Sequence, residues 1–314
     1  MDDRAESNEP AAPSGSIFTP YRRTQAVVSV ISVLCIVIFW EAAKWLAIPP
    51  VAKVDGSLLA QPNWPQAILA TYVLVFAAVV VGTVLAGWTW FFAGLFTAAV
   101  GLATLSVRCG AMHFVLFDAA SRGLGSSIFI RLLFEQCLLF VAVAIVWMYF
   151  WRRFLALAPI SEPGQPDKEE ASFNWIGAVA TQIIATGVLV LLLSPTDAKK
   201  QVLLSVFAGS FFGSMLAEYL FPSRKAVIWY WLGPFVVGAV GYVAAYFHAV
   251  PWTVGTASGA LSNLAHPLPL DYAGAGTIGA LLGYWVGAER PHVPFSFRRA
   301  RPAAPGGPAP TGKQ

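Results

Sequence analysis

Only a few charged side chains lie inside the apolar stretches of this sequence, and two of them could act together. Arg131 and Glu135 are four residues apart, so both would lie on one side of a helix. Charges within a membrane helix are costly and tend to face the bundle interior or a wet cavity. Together with Gln182, they are the best candidates for a polar path for an ion or small solute. The simpler interpretation, which we favour, is a structural Arg131–Glu135 ion pair that extends to the nearby membrane surface.

Histidines and aspartates form a second candidate group, near the ends of the apolar runs: His113, Asp118, His248, His266 and Asp271. Imidazoles and carboxylates can bind a metal ion or relay protons. These residues come from three separate segments and lack a ligand spacing such as His-x-x-x-His, so we predict no metal site. Asp271 also precedes an apolar run, where a carboxylate can cap free backbone N–H groups of a helix.

Other charged residues have simpler interpretations as structural pairs. Glu41 and Lys44 are one helical turn apart at the end of the first helix, and we expect them to pair. Glu218 lies close to the basic residues 224–225, and we expect it to pair with them.

Known catalytic and cofactor motifs are missing from the sequence. It contains no phosphate-binding Walker loop, no His-Glu-x-x-His zinc motif and no dinucleotide-binding glycine motif. Cys35, Cys109 and Cys137 are odd in number and widely spaced, which argues against a disulfide or a metal cluster. No basic face interleaved with aromatic residues suggests a nucleic-acid partner. We therefore expect no catalytic residues, metal or cofactor, and no nucleic acid as partner.

The elements that must position these side chains are apolar helices. Apolar residues make up 57% of the 314 residues and charged residues 11%, against roughly 25% charged in typical soluble proteins. A membrane-spanning helix needs about 20 apolar residues, and the sequence contains enough such runs for about eight. We predict an all-α, polytopic integral membrane bundle. Its expected divisions are a disordered polar tail (1–24), a first membrane half of four helices (25–150), a polar linker (151–173), a second half of four helices (174–288) and a disordered, basic, Pro-rich tail (289–314).

Small residues at every fourth position indicate how these helices pack. Such faces let helix backbones approach closely in a bilayer. Two rows carry the pattern most clearly: Ser205, Gly209, Gly213, Ala217, and Ala275, Gly279, Gly283, Gly287. Pro234 falls inside the seventh predicted span, Val227–His248, and should bend it because proline removes one backbone hydrogen bond.

The distribution of basic residues predicts the orientation. With eight spans and the N-terminus in the cytoplasm, the cytoplasmic segments contain thirteen Lys and Arg residues and the opposite loops five. This follows the positive-inside rule. We predict an integral protein of the bacterial inner (plasma) membrane with both termini in the cytoplasm.

For function, the sequence favours a non-enzymatic accessory or structural component embedded in the membrane. The lack of motifs and the low polar content of the spans support this prediction. The alternative is a small-solute transporter or channel whose path involves Arg131, Glu135 and Gln182, with the bend at Pro234 as a moving part. The expected partners are the lipid bilayer and either another membrane protein or a second copy of this chain.

Overall fold

The computed structural model describes residues 20–46, 57–59, 64–86, 91–157, 175–221, 230–248 and 261–289. These residues are helical apart from short turns, and no strand occurs among them. The helices are α1 (Pro20–Leu46), α2 (Trp64–Ala86), α3 (Phe91–Arg108), α4 (Met112–Ser121), α5 (Ser127–Leu157), α6 (Trp175–Leu193), α7 (Lys199–Leu220), α8 (Leu232–Phe247) and α9 (Thr277–Glu289). A 3₁₀ turn (Asn263–Ala265), a helical turn (Pro269–Asp271) and a π-helical segment (Tyr272–Gly276) precede α9.

Five of these helices are long and apolar enough to cross a membrane: α1, α2, α5, α6 and α7. A sixth crossing results if Ala93–Arg108 and Met112–Ser121, which meet at 56°, form one broken span. The all-α architecture and the membrane character are therefore confirmed. In the described ranges, fewer than eight helices have the length and composition expected of a membrane span. The reasons are that α8 has only 16 residues and that the π-helical segment interrupts the last apolar run.

The surface of the bundle is apolar, as expected for a protein surrounded by lipid. Leu192 and Phe247 are 69% and 75% exposed. By contrast, Glu135 and Gln182 are fully buried. Since bilayer lipid solvates apolar side chains and leaves polar ones without partners, polar groups belong inside such a bundle.

The helices pack in two groups. In one group α3 contacts both α1 and α2, and in the other α7 lies against α6 and α9. Contacts of α5 with α8, and of the π-helical segment with α3, α7 and α8, join the groups. The segment that precedes α9 therefore lies at the centre of the fold.

Several glycines lie against the backbone of a neighbouring helix. A Cβ atom at Gly279 or Gly283 of α9 would overlap the carbonyl oxygen of Phe207 or Phe211 in α7. A Cβ atom at Gly213 of α7 would lie 3.0 Å from the carbonyl oxygen of Gln182 in α6. These positions have no room for a side chain.

The connections follow from local chemistry. α6 ends at Leu193, two residues before Pro195, because the residue before a proline is disfavoured in helical conformation. Gly123 and Gly125 have φ values of +67° and +54° in the turn between α4 and α5, a region that suits glycine. Pro234 lies in the first turn of α8. Residues 227–229 of the predicted span Val227–His248 lie outside the described residues, so the bend at Pro234 stays a prediction.

The predicted divisions of the chain stay predictions. α1 begins at Pro20, inside the tail predicted for 1–24, and α5 continues to Leu157, beyond the predicted limit at 150. The remainder of both tails and residues 158–173 of the linker lie outside the described residues.

Candidate functional site

Glu135 is the most deeply buried acid of the apolar spans. It lies on α5 with its side chain fully buried. Its Oε2 atom accepts hydrogen bonds from the hydroxyl of Ser57 and, at 3.1 Å, from the backbone N–H of Leu59. Both donors belong to residues 57–59. Glu135 therefore holds this segment against the buried face of α5.

Arg131, one turn earlier on α5, is exposed. The ion pair that its spacing to Glu135 predicts is not formed, because Glu135 faces residues 57–59 instead. Residues four apart are offset by about 40° around a helix. At this place the offset separates a buried face from an exposed one.

Gln182 lies at the centre of a second polar network. Its Nε2 atom donates to Ser214 Oγ at 2.9 Å and to the carbonyl oxygen of Tyr230. The Tyr230 hydroxyl in turn donates to Glu218 Oε2 at 2.9 Å. The network joins α6, α7 and the residues just before α8, and it shares no hydrogen bond with Glu135 among the described residues. The predicted pairing of Glu218 with residues 224–225 lies outside them.

Asp271 holds a third group of polar side chains. It is 1% exposed and accepts hydrogen bonds from the Lys199 ammonium at 2.6 Å and from the Ser106 hydroxyl. Its other oxygen accepts the backbone N–H of Leu268 at 2.8 Å, so Asp271 closes its own short helical turn. It makes no side-chain hydrogen bond to the N–H groups of the segment that follows, so the cap predicted for the last helix is not formed. One carboxylate thus connects the end of α3, the start of α7 and the approach to α9.

Two histidines form further hydrogen bonds with the turn between α6 and α7. His113 Nδ1 lies 2.6 Å from Asp197 Oδ2. His266 Nδ1 lies 2.9 Å from the carbonyl oxygen of Ser194 and, beside this acceptor, acts as the donor. We refer to the bundle end formed by Ser106, His113, Ser194, Asp197, Lys199, His266 and Asp271 as the polar end.

The structure therefore brings three of the predicted histidines and aspartates to one end, but through partners that the sequence analysis missed. His113, His266 and Asp271 each contact the α6–α7 turn or the residue after it. The only signal for the missed partners was the cluster of polar residues 195–200. Asp118 pairs with Arg122 at 3.0 Å, and His248 follows the last residue of α8.

Chemically, these groups donate and accept hydrogen bonds between helices. No three His, Cys, Asp or Glu residues come together as metal ligands in the described ranges.

Neither a family model, nor a curated protein, nor a solved structure matches this chain. The function is therefore argued from the geometry.

Proposed function

We propose that this protein is a non-enzymatic, membrane-embedded accessory or structural component. The observation that supports this function best is that the buried polar side chains form hydrogen bonds within the chain. Glu135, Gln182 and Asp271 each bind another element of the same chain. Each interhelical hydrogen bond in a bilayer contributes about 0.6–2 kcal/mol, so together they favour one fixed arrangement.

The small-residue faces belong to the same proposal. We propose that Ser205, Gly209, Gly213 and Ala217 of α7, with Ala275, Gly279, Gly283 and Gly287 of the last apolar segment, hold the bundle together. The absence of a Cβ atom lets backbones approach and gain packing that lipid tails do not supply. A rigid bundle of this kind suits a scaffold.

A scaffold needs a surface for its partner, and two helices offer one. Only 28% of Ala26–Lys44 in α1 and 22% of Trp175–Leu193 in α6 are buried within the chain. On α6 the large apolar side chains of Ile184 and Leu192 are 64% and 69% exposed. We propose that one of these faces contacts another membrane protein or a second copy of the chain.

Site-directed crosslinking tests this proposal. A photoreactive amino acid replaces Ile184 or Leu192 in cells, and Ala178 of the same helix, which is 1% exposed, provides the matched internal control. We expect the exposed positions to give one discrete adduct with one recurring chain, identified by mass spectrometry, and the Ala178 position to give none. An adduct containing only a second copy would restrict the role to a structural homo-oligomer. Adducts with lipid alone at both α6 positions and at the corresponding α1 position Val33 would contradict an accessory role.

We also propose eight crossings, with both termini in the cytoplasm of a bacterial inner membrane. The count of thirteen basic residues against five supports this orientation. The test uses a chain without native cysteines that carries Lys200→Cys or Lys313→Cys. An impermeant maleimide added to intact cells should label the first variant and not the second. The reverse result would overturn the orientation.

The alternative function, a small-solute transporter or channel, is favoured by one observation. The Oε1 atoms of Glu135 and Gln182 are buried and have no hydrogen-bond partner among the described residues, as expected of groups that meet water or an ion. In the cysteine-free chain, Glu135→Cys and Gln182→Cys discriminate between the two functions. A transport path predicts that a small, water-soluble thiol reagent modifies both. The accessory function predicts that both stay protected in folded protein.

A further inference from the structure

An apolar groove of about 570 Å³ lies between α1, α3, α7 and the last helical segment. Its walls include Val107, Leu204, Phe207 and Ala275. Leu204 is 65% exposed, so the groove opens sideways to the surroundings of the bundle. Ligand clefts in proteins measure roughly 300–1,000 Å³, and an apolar groove of this size accommodates a long alkyl chain.

One end of the groove carries a cation with an unused donor. Arg108 ends α3, four residues after Thr104, which lines the groove. Its guanidinium carbon lies 4.4 Å from the ring centroid of Trp40, another lining residue. The Arg108 Nε atom is buried without a hydrogen-bond partner among the described residues. Arg108 as a whole is only partly buried, and an accessible guanidinium is suited to bind a phosphate oxygen.

A second cation lies at the same end. Lys200 is exposed in the first turn of α7, three and four residues before the lining residues Leu203 and Leu204, so it shares their helix face. The ends of α3 and α7 meet because Asp271 binds both Ser106 and Lys199. Lys199 is thus occupied by Asp271, whereas Lys200 is exposed.

We propose that this groove is a binding site for one anionic phospholipid of the leaflet at the polar end. One acyl chain lies along the apolar walls, and Arg108 and Lys200 bind the phosphate. Basic pockets between membrane helices hold lipid head groups in the same way. The proposal depends on the bundle lying in a bilayer and not on the identity of its protein partner.

Native mass spectrometry of the full chain in detergent micelles tests the site, with dioleoyl phosphatidylglycerol and dioleoyl phosphatidylcholine as probes. We expect a first phosphatidylglycerol adduct that forms at lower lipid concentration than any phosphatidylcholine adduct. Arg108→Gln and Lys200→Gln should each weaken that adduct on the order of fivefold, from about 1 kcal/mol per basic residue at a membrane surface. Arg131→Gln, which removes an exposed cation from α5, is the matched control and should change nothing.

The groove itself is tested by two further measurements. Ala103→Phe would fill it, because Ala103 is a lining residue, and should abolish the preferred adduct. If that variant does not fold, the unmodified protein is tested with dihexanoyl phosphatidylglycerol, whose chains are too short to fill the groove. This lipid should bind far more weakly than dioleoyl phosphatidylglycerol. Equal binding of both head groups, equal binding of both chain lengths, or an Arg131→Gln effect as large as that of Arg108→Gln would each overturn the proposal.

Discussion

One carboxylate oxygen of Asp197 contacts His113 twice: its Oδ2 atom lies 2.6 Å from the imidazole Nδ1 and accepts the backbone N–H of His113 at 3.0 Å. His113 is the second residue of α4, and the residue before this helix, Ala111, supplies no side-chain cap. Helices leave their first N–H groups without internal partners. Asp197 therefore caps α4 from the α6–α7 turn, and this link fastens a helix that is bent 56° from α3.

The first prediction concerns this cap. Asp197→Ala removes both bonds, whereas His113→Ala removes only the imidazole and leaves the backbone N–H in place. We expect Asp197→Ala to destabilise the fold by about 1 kcal/mol, the usual cost of losing an N-terminal cap. His113→Ala should cost less, because exposed pairs contribute little. Thermal unfolding in one detergent measures both variants. Equal losses would show that Asp197 acts only through the imidazole.

The second prediction compares two lysine–carboxylate pairs of nearly equal length. Lys199–Asp271 spans 2.6 Å and Lys44–Glu41 spans 2.7 Å, but the side chains of the first pair are 16% and 1% exposed and those of the second 48% and 56%. Lys199→Met leaves a buried carboxylate without its cation, which typically costs 3–5 kcal/mol. Lys44→Met should change stability by less than about 1 kcal/mol.

Chemical denaturation in mixed micelles measures both variants, and Lys199→Met/Asp271→Asn serves as the rescue control. The double variant should recover part of the loss because no charge is left buried. A Lys199→Met protein as stable as Lys44→Met would mean that Asp271 does not need its ion pair.

The third prediction tests Glu135 as the anchor of residues 57–59. Leu58, between its two donors, is fully buried. In a chain whose cysteines 35, 109 and 137 are replaced by alanine, a Leu58→Cys thiol should react slowly with maleimide. Adding Glu135→Ala removes the acceptor of both bonds and should raise the labelling rate at least about tenfold, as expected for a loss of about 1.4 kcal/mol from the closed state. Arg131→Ala, on the exposed side of α5, should leave the rate unchanged. Equal rates in all three would contradict the anchoring role.

Local spacing predicted part of this structure well. The long apolar runs identify the helical membrane bundle, because span length follows from bilayer thickness. Spacing within one helix gave one ion pair correctly and one wrongly. Glu41 and Lys44 form the pair that their spacing indicates, whereas Arg131 and Glu135 do not, because Glu135 binds residues 57–59 instead.

Contacts between distant segments could not be predicted in this way. Glu135 binds Ser57, 78 residues earlier, and Asp271 binds Lys199, 72 residues earlier. Periodicity describes which face of a helix is apolar but not which neighbour meets it. The π-helical segment before α9 was also missed, since Tyr272–Gly276 is as apolar and glycine-rich as the helix after it.

The last prediction tests the closeness of α7 and α9. A Cβ atom at Gly283 would overlap the carbonyl oxygen of Phe211, which is backbone and cannot rotate away. At Gly187 of α6 the nearest atom to such a Cβ is Val237 Cγ2 at 4.0 Å, an ordinary contact. Gly283→Ala should therefore destabilise the bundle by about 1–3 kcal/mol, as overpacking does. Gly187→Ala should be neutral or stabilising by up to about 1 kcal/mol, because alanine favours the helix. Unfolding midpoints in one detergent, with size-exclusion profiles, compare the two variants. If Gly283→Ala matched Gly187→Ala, the two backbones would have to lie farther apart than this fold places them.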